Sequence, residues 1–97
     1  MTMTITATVL SQPNCQSCTW VKKTLEQAGI EYVEYDVRTD RAAEVMLLRL
    51  YERRPGQRPA TPVTILNAEN ETETVFGPDI RSHLKRYTRA AAVSSAA

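Results

Sequence analysis

The chain has 97 residues, a length that fits one domain with a modest core of its own. Hydrophobic residues make up 42% and charged residues 24%, an ordinary globular balance, and a formal net charge of +1 argues against a general nucleic-acid or membrane-surface binder. No apolar run approaches the length that spans a bilayer, and Met1 to Leu10 carries no Lys or Arg ahead of its apolar residues, as a secretory leader would. A cytoplasmic location is therefore expected, and in that reducing compartment a pair of cysteines is more often catalytic or metal-binding than a structural staple.

Met3, Ile5, Ala7 and Val9 alternate with Thr4, Thr6 and Thr8, the period of a strand rich in β-branched residues. Ser11 to Asn14 reads as a loop. From Cys15 the period changes: Cys18, Val21, Leu25 and Ala28 fall on one face of a helix that Gly29 stops. Ile30 to Val37 is a second strand with Val33, Tyr35 and Val37 on one side. Asp40 caps a second helix, whose buried face is Ala43, Met46, Leu47 and Leu50; Arg53 and Arg54 suit its negative end. The proline-containing stretch 55–62 is a loop. Val63 to Leu66 is a short strand, Asn67 to Asn70 a turn, and Thr72 to Phe76 a last strand at or near an edge, because it carries the charged Glu73. Pro78 sits at the first position of a third helix that aligns Ile80, His83, Leu84 and Tyr87. The Ala/Ser-rich tail from 89 to 97 frays, which leaves residues 1–88 as the domain.

The order β-α-β-α-β-β-α implies an α/β fold. The strand–helix–strand start gives a parallel pair with a right-handed crossover, and the Asn67 turn gives an antiparallel pair. A four-stranded mixed sheet with helices on both faces follows.

Cys15 and Cys18 stand where a strand gives way to a helix. A helix start offers unpaired N–H groups and a partial positive charge, both of which favour a thiolate. A Cys there in a CxxC motif has a lowered pKa and is the nucleophile, and the spacing lets the second thiol close a small ring. Cys15 is thus the exposed attacker, and Cys18, on the apolar face, the buried resolver. Two other readings compete. Half a zinc site is one, but zinc takes four ligands, so with two Cys and one His a second subunit would be needed. Two inert buried thiols are the other. A CxxC beside a strand–helix–strand unit favours redox chemistry, with no metal and no cofactor.

Around the motif stand Gln12, Asn14, Gln16 and Ser17, all neutral, with Lys22 and Lys23 more than a turn beyond Cys18. Trp20 lies off the apolar face and reads equally as a packed surface aromatic or a docking residue. His83 reads as a histidine at the core edge. Arg53, Arg54 and Arg58 read as a solvated basic loop. Asp79 reads first as a carboxylate at a helix N-terminus.

This order of elements resembles a glutaredoxin. Val9-x-Ser11-x-Pro13-x-Cys15-x-x-Cys18 more closely resembles the NrdH-redoxins, glutaredoxin-like proteins with thioredoxin-like activity. Thr61-Pro62 before a strand and Phe76-x-Pro78-Asp79 extend the match, which runs from Thr4 to Tyr87. The sequence departs from the pattern at Gln12, where a basic residue is common, and at the Gln16-Ser17 pair. It departs also at Val75 and Gly77, which replace the usual Gly and Arg, and in a longer loop over 53–60.

The resemblance implies a thioredoxin-like fold and a dithiol–disulfide oxidoreductase, monomeric, that passes electrons to ribonucleotide reductase or another protein disulfide. Thioredoxin reductase would be its reductant; glutathione is the alternative, the glutaredoxin reading, and a metal-binding or redox-sensing module is a reading of another class. The resemblance also implies a cis bond before Pro62, which would present the Thr61 backbone to an extended substrate and keep metals from the thiols. It makes Thr61, Pro62, Pro13, Trp20 and Asp79 the substrate-binding residues beside Cys15 and Cys18. In glutaredoxins an Asp neighbouring the position of Asp79 grips the glutathione amine. A neutral rim around the cysteines favours thioredoxin reductase over anionic glutathione.

Overall fold

A computed structural model describes residues 5–69 and 71–85. The elements run β1 (Thr6–Ser11), α1 (Gln16–Gln27), β2 (Glu31–Asp36), α2 (Arg41–Tyr51), β3 (Val63–Asn67) and β4 (Thr72–Phe76), followed by helical backbone over 81–85. Met3, Thr4, Asn70, Tyr87 and the tail from 89 lie outside the described residues, as does the domain end at 88.

The sheet order is β2-β1-β3-β4. β1 pairs with β2 in parallel, Val9 opposite Glu34, and with β3 antiparallel, Val9 opposite Thr64. β3 and β4 form the antiparallel hairpin, and β4 is an edge as expected. This is the expected thioredoxin-like α/β sheet with helices on both faces. Ala7, Val9, Leu66 and Val75 meet Val21 and Leu25 of α1 and Ile80 and Leu84 on one face. On the other, Leu10, Val63 and Phe76 meet Ala43, Leu47, Leu50 and Tyr51 of α2.

Helix ends follow the sequence chemistry. Asp40 is the α2 cap, its carboxylate accepting from the Ala43 N–H at 3.1 Å. Asp40→Ala is expected to cost about 1 kcal/mol, read by chemical denaturation, because that donor loses its partner. At the end of α1, Gly29 (φ +71°) donates to Glu26 O at 3.1 Å and Ile30 to Leu25 O at 3.0 Å. That pairing satisfies the last carbonyls only with a left-handed residue, which glycine accepts.

The faces differ in detail from the periodic reading. On α1, Ala28 is exposed at the C-cap and Thr24 is buried instead, its hydroxyl bonded to Trp20 O at 2.8 Å. On α2, Met46 is exposed, because the packed stripe runs Ala43, Leu47, Leu50, Tyr51 and leaves Met46 on its flank. Val33 and Tyr35 point to the α2 face but are 53% and 41% exposed, because the α2 cluster covers β1, β3 and β4 and not the β2 edge. Val37, past the end of β2, is buried.

The last helix begins later than expected. Gly77 (φ +97°) and Pro78 form a turn in which Ile80 N–H bonds Pro78 O at 2.9 Å, and helical backbone starts at 81, so Pro78 is not its first residue. His83 is half-buried, 2.6 Å from the Glu73 carboxylate, which places it at the core edge as expected. In the basic loop, Tyr51 donates to Ala60 O at 3.1 Å and the Arg54 guanidinium lies 4.5 Å over the Phe76 ring, so Arg54 packs rather than standing free.

Candidate active site

β1 ends at Ser11, and the loop that follows turns through Asn14 (φ +60°) to deliver Cys15 as the N-cap of α1. Cys15 has extended backbone, and its Sγ accepts from the Cys18 N–H at 3.1 Å. Its carbonyl begins the helix, accepting from Thr19 N at 3.1 Å and Thr19 Oγ1 at 3.2 Å. The sulfur thus occupies the place of a capping oxygen, where an amide donor and the helix dipole favour a negative charge.

Cys15 and Cys18 are joined by a disulfide, their Cα atoms 5.2 Å apart. Cys18 is 2% exposed, whereas Cys15 is half-buried. The expected asymmetry between an accessible and an inaccessible sulfur is present. The Thr61–Pro62 bond is cis, Thr61 Oγ1 lies 3.8 Å from Cys15 Sγ, and Pro62 is buried behind it. Pro62 O accepts from Gly77 N at 3.0 Å, which ties this loop to the turn that carries Asp79.

The other residues singled out in the sequence divide between two clefts. Pro13 lines an open cleft of about 700 Å³ that also contains Cys15 and Cys18. Trp20, 49% exposed, and Asp79 line a second cleft of about 390 Å³ with Gln16, Ser17 and Arg81, whose guanidinium is 5.8 Å over the Trp20 ring. Asp79 accepts from the Ser82 hydroxyl at 3.4 Å. Among the described residues no group of three His, Cys, Asp or Glu side chains is placed to hold a metal ion, and no helix is long and apolar enough to cross a membrane.

The rim is not neutral. Lys22 lines the cysteine cleft, its Nζ 3.0 Å from a Glu34 carboxylate oxygen that also accepts from Ser11 Oγ at 2.6 Å. The Ser11 hydrogen bond, and after it Lys22, hold the Glu34 carboxyl below the usual carboxylate range, against an opposing effect of burial. Two signals could have found this cluster: Lys22 stands four residues after Cys18 on the helix, and Glu34 stands on β2, where parallel pairing with β1 brings it near Ser11.

A glutaredoxin family profile matches residues 3–70. The structure is similar to the crystal structure of the thioredoxin-like protein BC3987, with a TM-score of 0.64 and 31% identity, covering 84% of this chain and 97% of that one. A mutant of the same protein gives a TM-score of 0.65 and 30% identity over 86% of this chain and 94% of that one. No curated protein matches the sequence.

Proposed function

The chain belongs to the glutaredoxin family, and from that premise we propose that it is a dithiol–disulfide oxidoreductase in which Cys15 attacks and Cys18 resolves. The observation that carries this reading is the cysteine pair at the start of α1: an accessible Cys15 sulfur facing the Cys18 N–H, with Cys18 buried beneath it.

In the reduced protein the Cys15 thiolate attacks one sulfur of a substrate disulfide. That bond breaks as a mixed disulfide forms, and the departing sulfur takes up a proton. Cys18 then loses its proton, attacks the Cys15 sulfur and expels the second substrate sulfur. Two electrons have passed to the substrate, and the chain holds the Cys15–Cys18 disulfide. Thr61, beside Cys15, and Pro13 are placed to contact the substrate chain.

At finer grain we read the chain as an electron donor of the NrdH-redoxin type, serving ribonucleotide reductase or another protein disulfide and recharged by thioredoxin reductase. Its likeness to a thioredoxin-like protein supports this, as does the engagement of Lys22 by Glu34, which leaves the cysteine cleft without an unpaired ammonium. One observation favours glutathione instead: the Trp20 cleft presents the Asp79 carboxylate and the Arg81 guanidinium together, complementary to an amine and a carboxylate.

Exchanging the reductant separates the two. With a protein disulfide as acceptor, thioredoxin reductase plus NADPH is expected to sustain turnover, and glutathione with its reductase to give little at matched concentration. Turnover with glutathione alone would assign the chain to the glutathione-linked branch and leave the dithiol chemistry intact.

A further inference from the structure

The charges on the cysteine cleft take no part in the sulfur exchange described above. Lys22 follows Cys18 by one helical turn, on the same side of α1. Its ammonium is drawn to a Glu34 carboxylate oxygen at 3.0 Å, and the same oxygen accepts from the hydroxyl of Ser11, 2.6 Å away and itself only 2% exposed. Asp36 completes the β2 wall, one of its oxygens accepting from the Arg38 N–H at 2.8 Å. Among the described residues these are the titratable groups lining the cleft besides the cysteines; Asp79 and Arg81 belong to the other cleft. Two carboxylates and one ammonium therefore line the cleft that both cysteines share.

That balance acts on the redox couple. Reducing the disulfide adds two electrons, and with Cys15 as a thiolate only one proton is retained, on Cys18. The reduced form then carries a negative charge that the oxidised form lacks. Nearby negative charge disfavours the reduced form, and nearby positive charge favours it.

We propose that Glu34, anchored by Ser11, is a positioning residue that holds the Lys22 ammonium away from the sulfurs and so lowers the reduction potential of the Cys15–Cys18 couple, making the protein a stronger reductant. This rests on the dithiol reading of Cys15 and Cys18. Glu34 acts through Lys22 and the cleft's field, without touching a substrate disulfide. The pinned carboxyl, kept ionised by its two partners, supplies that charge throughout the neutral pH range.

The test equilibrates the full-length protein and two variants with mixtures of reduced and oxidised glutathione and reads the dithiol fraction by alkylation and mass. Glu34→Gln frees the ammonium and is expected to shift the equilibrium about three- to tenfold toward the dithiol, tenfold being about 30 mV for a two-electron couple. It is also expected to lower the pH midpoint of Cys15 alkylation. Lys22→Met leaves the carboxylates unopposed and is expected to move both readings the opposite way. A general loosening of the helix start would move both variants in one direction, so shifts of the same sign, or none in Glu34→Gln, would overturn the proposal. Failure of the unaltered protein to equilibrate at all would instead remove the dithiol reading beneath it.

Discussion

Replacing Cys15 with serine is expected to abolish disulfide reduction, a loss of at least about a thousandfold, the scale on which removing a nucleophile registers. The argument is chemical before it is structural. A serine hydroxyl does not ionise near neutral pH, and sulfur exchange requires an attacking thiolate. The structure then explains why Cys18 cannot stand in. It is 2% exposed and lies a turn into α1, beneath the sulfur that meets solvent. The introduced hydroxyl can still cap the helix through the Cys18 N–H, so the variant is expected to fold with stability near that of the reduced parent. Steady-state insulin reduction reads the activity, and far-UV circular dichroism confirms the fold. Residual turnover above a few per cent would show that Cys18 attacks unaided.

The second large effect is on stability. Leu25 is fully buried on α1, within the cluster of Ala7, Val9, Leu66, Val75, Ile80 and Leu84. It joins the helix carrying both cysteines to the sheet that positions Thr61. Leu25→Ala is expected to cost about 2–5 kcal/mol, from lost burial and the cavity left behind. For a domain of this size that lowers the melting temperature by roughly 10–30 °C. Thermal unfolding of the reduced protein measures it without the disulfide's contribution. A fall of only a few degrees would mean that the α1 face is loosely packed.

The sequence reading succeeds where a local rule decides. Cys15 at a strand-to-helix junction, Asp40 as a cap and Gly29 as a stop each follow from side-chain chemistry over a few residues, and the structure reproduces all three. The edge position of β4, which carries Glu73, is legible for the same reason. The failures share a cause. Periodicity says which residues point the same way, but not what lies opposite them. Val33 and Tyr35 alternate as a buried strand should, yet β2 is an edge that the α2 cluster does not cover. Periodicity turns Met46 inward, but it sits at the stripe's margin, where a small rotation of the helix decides its exposure.

The candidate site divides in the same manner. Cys15 and Cys18 are close in sequence, so their pairing is legible; Thr61 comes from the family resemblance and proves to stand against Cys15. The Ser11–Glu34–Lys22 cluster joins three elements through the parallel register of β1 with β2, information that no local window holds. A rim that reads residue by residue as neutral is therefore charged.

The most direct test of the central assignment is to trap the intermediate. A Cys18→Ser variant, reduced and mixed with a disulfide substrate, retains the attacker and lacks the resolver, so a stable mixed disulfide should accumulate. Mass spectrometry of the digested adduct is expected to place the substrate on Cys15 at close to one equivalent, released by a small thiol. Rapid release of reduced substrate without an adduct would contradict the division of roles between Cys15 and Cys18.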